Sequence, residues 1–403
     1  MSGIESQAEE APRFLLLLPP LPQVSDAEAI KSTYGTTIRD VLKEVTLASG
    51  ESASAAILEV ALALPHLHNS GTSLSRYGET QRNLARAYRL VCMIAAQNDF
   101  NIEDKDGVDV RILLVALGEQ STKSPPSISG PVVSLEGLAA SGREWQYAFG
   151  VEDDAGTAMV KYFVQAKQRH KHAPAQDKAQ TRTGSHTQSQ QRAPCVAVGG
   201  TFDHLHIGHK LLLTMTVFAA LDQEPGSFTR TAIVGITGDE LLVNKKFAEH
   251  LESWHARQKA TIDFLTAIVD FGPAGSAKPT SQEVNEPGVN GHAINTTFSN
   301  GLTVRCVEIS DPFGPTITER DVDALIISAE TRSGGKAVND KRGEKDWKPL
   351  TILEVDVLEA TESVLQAKAD VGDNAEDFAG KLSSTEIRKK LSEKAAGQDR
   401  EKL

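Results

Sequence analysis

The chain has 403 residues, of which 40% are hydrophobic and 24% are charged, a mixture typical of soluble globular proteins. Its formal net charge of -12 argues against a protein that coats nucleic acid, because such binding requires a basic surface. The three cysteines are far apart and favour neither a disulfide framework nor a cysteine-based zinc site. No apolar run reaches the roughly 18 residues of a membrane helix and no basic leader is present, so we expect a cytoplasmic protein without membrane contacts.

The first part of the chain, residues 1–164, has the pattern of an α/β domain. Apolar runs at Phe14–Leu18, Ala56–Leu64 and Val108–Leu117 predict buried strands, and segments with helical periodicity lie between them. Alternation of strands and helices indicates an α/β fold. This part contains no catalytic constellation, so its function stays unassigned.

A polar segment, residues 165–194, separates this part from the rest of the chain. It is almost free of aliphatic side chains and rich in Gln, Thr, Ser, Lys and Arg. Such a segment cannot build a core, so we predict a disordered linker that proteases cut first. A second polar stretch, Gly272–Gly301, has the composition of a long loop inserted within the following domain.

In residues 195–403, apolar strands again alternate with helical segments. The residues CVAVGG at Cys195–Gly200 predict a first strand, and a helix starting near His206 follows. Further strands are predicted within TAIVGITGDE, TVRCVEISDPFGP, DALIISAET and LTILEVDVL, and a second helix is predicted at LESWHARQKATIDFLTAIVDF. This order predicts a parallel sheet with right-handed crossovers, in which ligands bind at the carboxyl ends of the strands.

The decapeptide GTFDHLHIGH, residues 200–209, lies where the first strand gives way to its helix. Gly199 and Gly200 allow the backbone to approach a ligand closely, and a helix N-terminus offers free amide donors to an anion. His206 and His209 are spaced so that both imidazoles leave one face of the first helical turn. The pattern predicts a phosphate-binding site.

The residues His206-Ile207-Gly208-His209 resemble the HxGH signature of the nucleotidylyltransferase superfamily, and the preceding GTFD narrows the resemblance to phosphopantetheine adenylyltransferases. The resemblance covers about half the chain, from Cys195 onward. It implies a Rossmann-like parallel-sheet domain, preceded by the separate N-terminal α/β domain. The catalytic residues that it implies in this motif are Thr201, His206 and His209. The ATP contacts that it implies there are Gly199, Gly200, Phe202, Asp203 and Gly208.

The three histidines of this motif also raise the possibility of zinc, since three imidazoles can hold a catalytic metal. His204 lies in the loop before the helix, however, and the sequence shows no further group matched to it. We therefore expect no metal bound by protein ligands.

The segment KLSSTEIRKKL, residues 381–391, would by itself predict an ordinary helix N-cap. Beside the first motif, it resembles the SSTxxR of the same family, whose hydroxyls and helix N-terminus hold the outer phosphates of ATP. The ATP-binding residues implied here are Ser383, Ser384, Thr385 and Arg388.

Three further segments resemble the eukaryotic and archaeal form of the enzyme, namely TGDELLVNKK, SDPFGP at Ser310–Pro315, and SAETRSGGKAVNDKR. TGDELLVNKK brings Lys245 and Lys246 just behind the second strand, where the resemblance implies a catalytic Lys245 and a substrate-binding Lys246. SAETRSGGKAVNDKR has Ala329 where the family has a glutamate. Its implied substrate contacts are Glu330, Thr331, Gly335, Asn339 and Arg342. We expect Asn339 and Arg342, with the Ser310–Pro315 turn, to contact the pantetheine arm.

The resemblance implies transfer of the AMP moiety of ATP to 4'-phosphopantetheine, giving dephospho-coenzyme A and pyrophosphate, with Mg²⁺ accompanying ATP. Two enzymatic alternatives are a cytidylyltransferase and a mononucleotide adenylyltransferase. A class I aminoacyl-tRNA synthetase is disfavoured, because the chain lacks a KMSKS-like segment and is acidic. An alternative of another class is a scaffold subunit, whose N-terminal domain would bind other enzymes of coenzyme A synthesis.

The position of the motifs leads to two further expectations. No GxxxxGK[ST] phosphate loop occurs, so we expect a monofunctional enzyme of the fungal kind without a fused kinase. Because every motif follows the linker, we also expect the fragment from about Arg192 to keep the activity by itself.

Overall fold

A computed structural model describes residues 11–21, 27–51, 55–68, 72–102, 106–118, 130–172, 194–221, 230–356 and 383–401. Two sheets organise these residues, one in each half of the chain. The fold class is α/β, as predicted.

The first sheet has five parallel strands in the order β4-β3-β2-β1-β5. The strands are β1 (Arg13–Leu18), β2 (Ile57–Leu64), β3 (Asp109–Ala116), β4 (Val132–Ser134) and β5 (Tyr147–Gly150). Every residue of β2 is buried, which is typical of a parallel sheet covered by helices on both faces. The three strands predicted in this part of the sequence are confirmed.

The helices of the first half are α1 (Ala27–Glu51), α2 (Ser73–Gln97), α3 (Leu135–Ala140) and α4 (Asp154–His172). Helix α4 overlaps the predicted linker, because it continues through residues 165–172. Ala166 is buried there and Phe163 is buried one turn earlier, so apolar packing extends the helix past the start of the polar segment. The remainder of the predicted linker, apart from Pro194, lies outside the described residues.

The second sheet has seven strands in the order β12-β11-β6-β7-β10-β9-β8. They are β6 (Cys195–Gly200), β7 (Arg230–Thr237), β8 (Thr280–Asn285), β9 (His292–Thr297), β10 (Leu302–Ile309), β11 (Ala324–Ser328) and β12 (Thr351–Val355). Five strands are parallel, but β9 is antiparallel to both β10 and β8. The predicted parallel sheet is therefore confirmed in part, because these five strands are parallel but the sheet as a whole is mixed.

The antiparallel strands come from the stretch Gly272–Gly301, which the composition predicted to be a loop. Strands β8 and β9 form a hairpin there that extends the sheet beyond β10. Most side chains of β8 are exposed, so the strand buries too little apolar surface to leave a hydrophobic pattern in the sequence. Backbone pairing with β9 determines its conformation.

Among the residues that the structure describes, the helices of the second half are α5 (Ile207–Ala219), α6 (Trp254–Val269), α7 (Arg332–Gly343) and α8 (Ser384–Glu401). Strand β6 leads into α5 and β11 leads into α7, and these strands are parallel neighbours. The starts of both connections therefore lie at the same edge of the sheet, the carboxyl edge. Among the described helices, none combines the length and apolar composition required to cross a membrane.

The two halves share hydrophobic packing. One cluster of buried side chains extends from Phe14 on β1 to Val355 on β12. Helix α5 lies against α2, where the rings of Tyr77 and Phe218 are 6.5 Å apart. Ser73 Oγ donates a hydrogen bond to the carbonyl of Ala219 at 3.3 Å. The helix that follows the first motif is thus packed against the N-terminal half.

Candidate active site

The loop between β6 and α5 has an unusual backbone. Phe202 and His204 have φ values of 52° and 45°, in the left-handed region that side chains other than glycine seldom adopt. Such conformations cost free energy and occur often at functional sites, where the surrounding contacts must hold them. The loop carries the predicted ATP-binding residues Phe202 and Asp203, and both are buried.

Two glycines of the motif lie in tight packing. A Cβ at Gly200 would lie 3.1 Å from the Phe202 ring, and one at Gly208 would lie 3.0 Å from Cε1 of His206. Gly208 therefore leaves room for the imidazole at the helix start. Gly199 has open space around it and is exposed, so its role is not a packing role.

His206 and His209 come together as the sequence predicted. Their rings are stacked, with centroids 3.9 Å apart and planes at 27°, and the His209 ring lies 5.3 Å from that of Phe202. His206 is the N-cap of α5 rather than its first helical residue, because its Nδ1 accepts a hydrogen bond from the N–H of Gly208 at 3.2 Å. The imidazole thus takes the place of the usual capping oxygen.

The environment keeps both imidazoles neutral at pH 7. Burial, with the nearby charges of Lys210 and His204, lowers the pKa of His206 to about 4. Burial and the neighbouring His206 lower the pKa of His209 well below its ordinary value. Since His206 Nδ1 accepts the Gly208 N–H, the proton of the neutral ring is on Nε2, which is free to donate.

One atom of the pair is left unsatisfied. His209 Nδ1 is buried and has no hydrogen-bond partner among the described residues. A buried polar atom without a partner costs about 1–3 kcal/mol, so its presence in a folded protein requires an explanation, such as a catalytic role or a bound water. The stacked pair therefore has the character of a functional site.

The helix start predicted at SSTEIR lies beside this loop. Ser384 Oγ donates a hydrogen bond to the carbonyl of Asp203 at 2.7 Å, across 181 residues of sequence. Ser383 is an N-cap residue, since its hydroxyl accepts the N–H of Glu386 at 3.3 Å. The first and last motifs of the sequence are thus brought into contact.

Arg388 connects α8 to two other segments. Its guanidinium pairs with Asp203 Oδ2, and its Nε donates to the carbonyl of Lys246 at 3.1 Å. Its Nη2 also donates to Thr385 Oγ1 at 3.2 Å. The side chain is 2% exposed, so in this arrangement it holds protein segments together rather than presenting a free cation to ATP.

The two predicted lysines follow β7 in an exposed turn. Lys245 N–H donates to the carbonyl of Leu242 at 3.0 Å, and the ammonium groups of Lys245 and Lys246 have no partner among the residues that the structure describes. The contact from Arg388 to the Lys246 carbonyl keeps this turn near α8. Two exposed cations are therefore available beside the loop that carries the histidines.

The segment after β11 reaches the site only at its beginning. Glu330 and Thr331 follow the carboxyl end of β11, next to that of β6, and both are exposed. Gly335 lies further along α7, where a Cβ would be 3.3 Å from Cδ1 of Ile327. The family resemblance at Gly335 therefore corresponds to helix-to-sheet packing.

Asn339 and Arg342 lie at the opposite edge of the sheet. The amide group of Asn339 exchanges hydrogen bonds of 3.1 and 2.8 Å with Leu350, just before β12. Arg342 is fully buried and donates to the carbonyls of Arg320 and Val322, just before β11, and to three further carbonyls. Because α7 runs back along the sheet, these residues are a helix length away from the carboxyl edge. We therefore leave both out of the site, contrary to the expectation from the sequence.

The Ser310–Pro315 turn follows β10 at the carboxyl edge. Asp311 Oδ1 accepts the N–H groups of Phe313 and Gly314 at 2.7 and 3.0 Å, and its Oδ2 accepts Nδ2 of Asn290 at 2.7 Å. The turn is thus hydrogen-bonded to the β8–β9 hairpin, and β7 and β6 lie between it and β11 in the sheet.

Three charged residues that the sequence did not indicate hold the site loop. Arg257 is fully buried and donates to the carbonyl of Thr201 at 2.7 Å and to Asp239 Oδ1 at 2.5 Å. Glu252 accepts the N–H of His204 at 2.7 Å, and its own N–H donates to Asp203 Oδ1 at 3.0 Å. In sequence these residues look like ordinary charges around a helix start, so only the fold reveals their contacts.

Comparison with known proteins gives different results for the two halves. A family model described as Domain of unknown function (DUF8446) matches residues 1–187. An uncharacterized protein of Schizosaccharomyces pombe is 35% identical over 199 residues, which cover 49% of this chain and 48% of that protein. A phosphopantetheine adenylyltransferase of Saccharomyces cerevisiae is 33% identical over 201 residues, 50% of this chain and 49% of the relative. The matches span about half the length of these two relatives.

A shorter relative is covered more completely. A phosphopantetheine adenylyltransferase of Pyrococcus abyssi is 30% identical over 165 residues, which cover 41% of this chain and 80% of the relative. A solved structure of a protein with unknown function from Archaeoglobus fulgidus is 22% identical, covering 40% of this chain and 97% of that one. Its TM-score of 0.26 is too low to support a statement about the fold.

Proposed function

Because the chain belongs to the phosphopantetheine adenylyltransferase family, we propose that it transfers the AMP moiety of ATP to 4'-phosphopantetheine, releasing pyrophosphate. The product would be dephospho-coenzyme A. The observation that carries the proposal is the contact between the two motifs, in which the stacked His206 and His209 lie beside a helix start held by Ser384. One motif suits an α-phosphate and the other suits the outer phosphates.

The reaction needs no covalent enzyme intermediate. A phosphate monoester is already an anionic nucleophile at neutral pH, so an oxygen of phosphopantetheine would attack the α-phosphorus of ATP directly. The bond from that phosphorus to the bridging oxygen of the β-phosphate would break, and pyrophosphate would leave. The protein then contributes in-line positioning and hydrogen bonds to the charge that develops.

The geometry suggests a role for each group at the site. The neutral imidazole of His206 would donate from Nε2 to the α-phosphate, with His209 beside it. The hydroxyl of Thr201 and the exposed ammonium of Lys245 would orient the attacking phosphate. The first turn of α8, with Ser384 and Thr385, would face the outer phosphates of ATP. Residues that would complete the binding of both substrates are Lys246, Glu330 and Thr331.

Arg388 enters the proposal as a positioning residue. Its contacts with Asp203 and the Lys246 carbonyl join the loop between β6 and α5, the exposed turn after β7, and α8. Loss of this side chain would loosen three parts of the site together.

Magnesium would enter with ATP and be held mainly by phosphate oxygens. Within the described ranges, no three His, Cys, Asp or Glu side chains cluster as metal ligands. We assign no protein ligand to the ion.

A substrate panel tests the proposal. The purified full chain is incubated with ATP or CTP, each paired with 4'-phosphopantetheine or nicotinamide mononucleotide, and pyrophosphate release is followed. We expect release with ATP and 4'-phosphopantetheine, with a product of the mass of dephospho-coenzyme A. Preference for CTP or for the mononucleotide would favour the related enzymes, and a folded protein inactive with every pair would favour a scaffold subunit.

A further inference from the structure

Lys210 connects the catalytic helix with the N-terminal half of the chain. It follows His209 in the first turn of α5, and its N–H donates to the carbonyl of His206 at 3.0 Å. Its side chain is buried, and Nζ lies 2.6 Å from Asp109 Oδ1 and 3.0 Å from the carbonyl oxygen of Val110. Both partners are at the start of β3, in the first sheet.

Asp109, the residue of β3 that pairs with Lys210, carries a fixed negative charge. Asp109 Oδ2 accepts hydrogen bonds of 2.9 and 2.5 Å from Nε and Nη2 of Arg111. Burial alone would raise the pKa of Asp109, but the charges of Lys210 and Arg111 lower it well below its ordinary value. The carboxylate is therefore ionised at any pH at which the enzyme would work, and its strand lies in the interior of a five-stranded sheet.

The ion pair is better explained by geometry than by stability. Removing two charges from water costs about as much as their attraction returns, so a buried pair adds little net stability compared with apolar packing. Its hydrogen bonds are directional, however, and they fix the turn from which both imidazoles project. Catalytic groups must be held within about 0.5 Å of their productive positions, which an anchor on the adjacent residue can provide.

We infer that Asp109 is a positioning residue of the nucleotidyl-transfer site, acting through Lys210 to hold the first turn of α5 and its two imidazoles in place. The inference rests on the proposed function, because it takes His206 and His209 as phosphate ligands. It gives the N-terminal half a part in the reaction without any contact between that half and substrate.

The test is a double-mutant cycle in the full chain with Asp109→Asn, Lys210→Met and the double variant. A misplaced catalytic turn should lower kcat on the order of tenfold to a hundredfold in each single variant, with a much smaller change in the KM for ATP. Because both residues act through one ion pair, the double variant should be no slower than the slower single variant. Unchanged kcat in Asp109→Asn, or effects that multiply in the double variant, would overturn the inference.

A matched control is Asp340→Asn, which removes the same charge from an exposed lysine–aspartate pair of 2.7 Å on α7. This variant should keep the wild-type kcat. Asp109→Glu retains the charge and should recover part of the turnover that Asp109→Asn loses, which a general loss of stability would not produce.

The experiment distinguishes failure of this inference from failure of the proposed function. If Asp109→Asn does not fold, Lys210→Arg carries the test, since it keeps the charge and changes the geometry of the pair. It should fold with lowered kcat, and full turnover would overturn the inference. An inactive wild-type protein would instead contradict the proposed function, before any variant is compared.

Discussion

The proton states of His206 and His209 follow from their place in the fold. The Gly208 N–H donates a hydrogen bond to Nδ1 of His206, and burial disfavours the charged form of both imidazole rings. The pair would therefore act as hydrogen-bond donors rather than as cations, leaving positive charge to the exposed Lys245 and Lys246. This division keeps the buried part of the site free of unpaired charge.

The low pKa of His206 makes the stability of the protein depend on pH. The imidazole has a pKa of about 4 in the folded chain against an ordinary value of 6.5, so the unfolded chain binds the proton more readily. The contribution of the neutral His206 to the free energy of unfolding is fully present above pH 6.5, and it is lost as the pH falls toward 4. We expect the free energy of unfolding to be about 2 kcal/mol lower at pH 5 than at pH 7.5 because of this residue alone.

Urea unfolding of wild type and His206→Gln at several pH values measures this effect. The variant lacks the titrating group, so its free energy of unfolding should fall less between pH 7.5 and pH 5. Parallel curves for the two proteins would show that His206 has an ordinary pKa in the folded state.

At the scale of single residues, the sequence was informative where local spacing determines geometry. The stacked His206 and His209 are three residues apart, so one helical turn suffices to bring them together. The sequence led us to expect Arg342 in the site. Its position in the sequence does not show that α7 runs back toward the amino edge of the sheet. Arg257 and Asp109 were missed, since their partners are distant in sequence and charged residues of this kind usually face solvent.

At the scale of elements, Arg388 holds α8 against the loop between β6 and α5 and against the turn at Lys246. Arg388→Met removes three hydrogen bonds from α8 and leaves the buried Asp203 carboxylate without its cation. Breaking a buried pair in this way costs on the order of 3–5 kcal/mol, so the helix start should no longer be held beside the loop. The KM for ATP should rise on the order of tenfold.

Steady-state kinetics and a melting curve check this expectation. Lys389→Met is the matched control, because Lys389 is the next residue of the helix and its side chain is exposed. The control should keep the wild-type KM for ATP. An Arg388→Met protein with unchanged KM and unchanged melting temperature would show that α8 is not held by this contact.

Strands with many apolar residues could be predicted from the sequence, and strands with few could not. Strands β1, β2 and β3 are continuous hydrophobic runs and were predicted within one residue at each end. The β8–β9 hairpin was missed, because exposed strands of an antiparallel edge carry little hydrophobic periodicity. The mixed character of the second sheet follows from that hairpin.

At the scale of the whole molecule, the shared core changes what a fragment should do. The sequence led us to expect that the chain from about Arg192 would be active alone, since every motif lies in it. In the structure, Phe218 packs near Tyr77, and the Phe271 ring lies 4.3 Å from the guanidinium carbon of Arg143. Removing residues 1–191 would expose this apolar surface.

We therefore expect the fragment that starts at Arg192 to melt at a lower temperature than the full chain and to bind a hydrophobic dye. Lost apolar burial weakens stability in proportion to the area exposed. Differential scanning calorimetry and dye fluorescence, with the full chain as reference, measure both effects. A monomeric fragment with the melting temperature and turnover of the full chain would show that the halves are independent domains.

The most direct test of the proposed catalytic site is the turnover of His209→Ala with ATP and 4'-phosphopantetheine, measured beside ATP affinity by calorimetry and a melting curve. An interaction that strengthens as charge develops on the α-phosphate accelerates the chemical step, so its loss should appear in kcat. We expect a folded variant with near-normal ATP affinity and turnover lower by on the order of a hundredfold to a thousandfold. Near-normal turnover in the folded variant would contradict a catalytic role for His209.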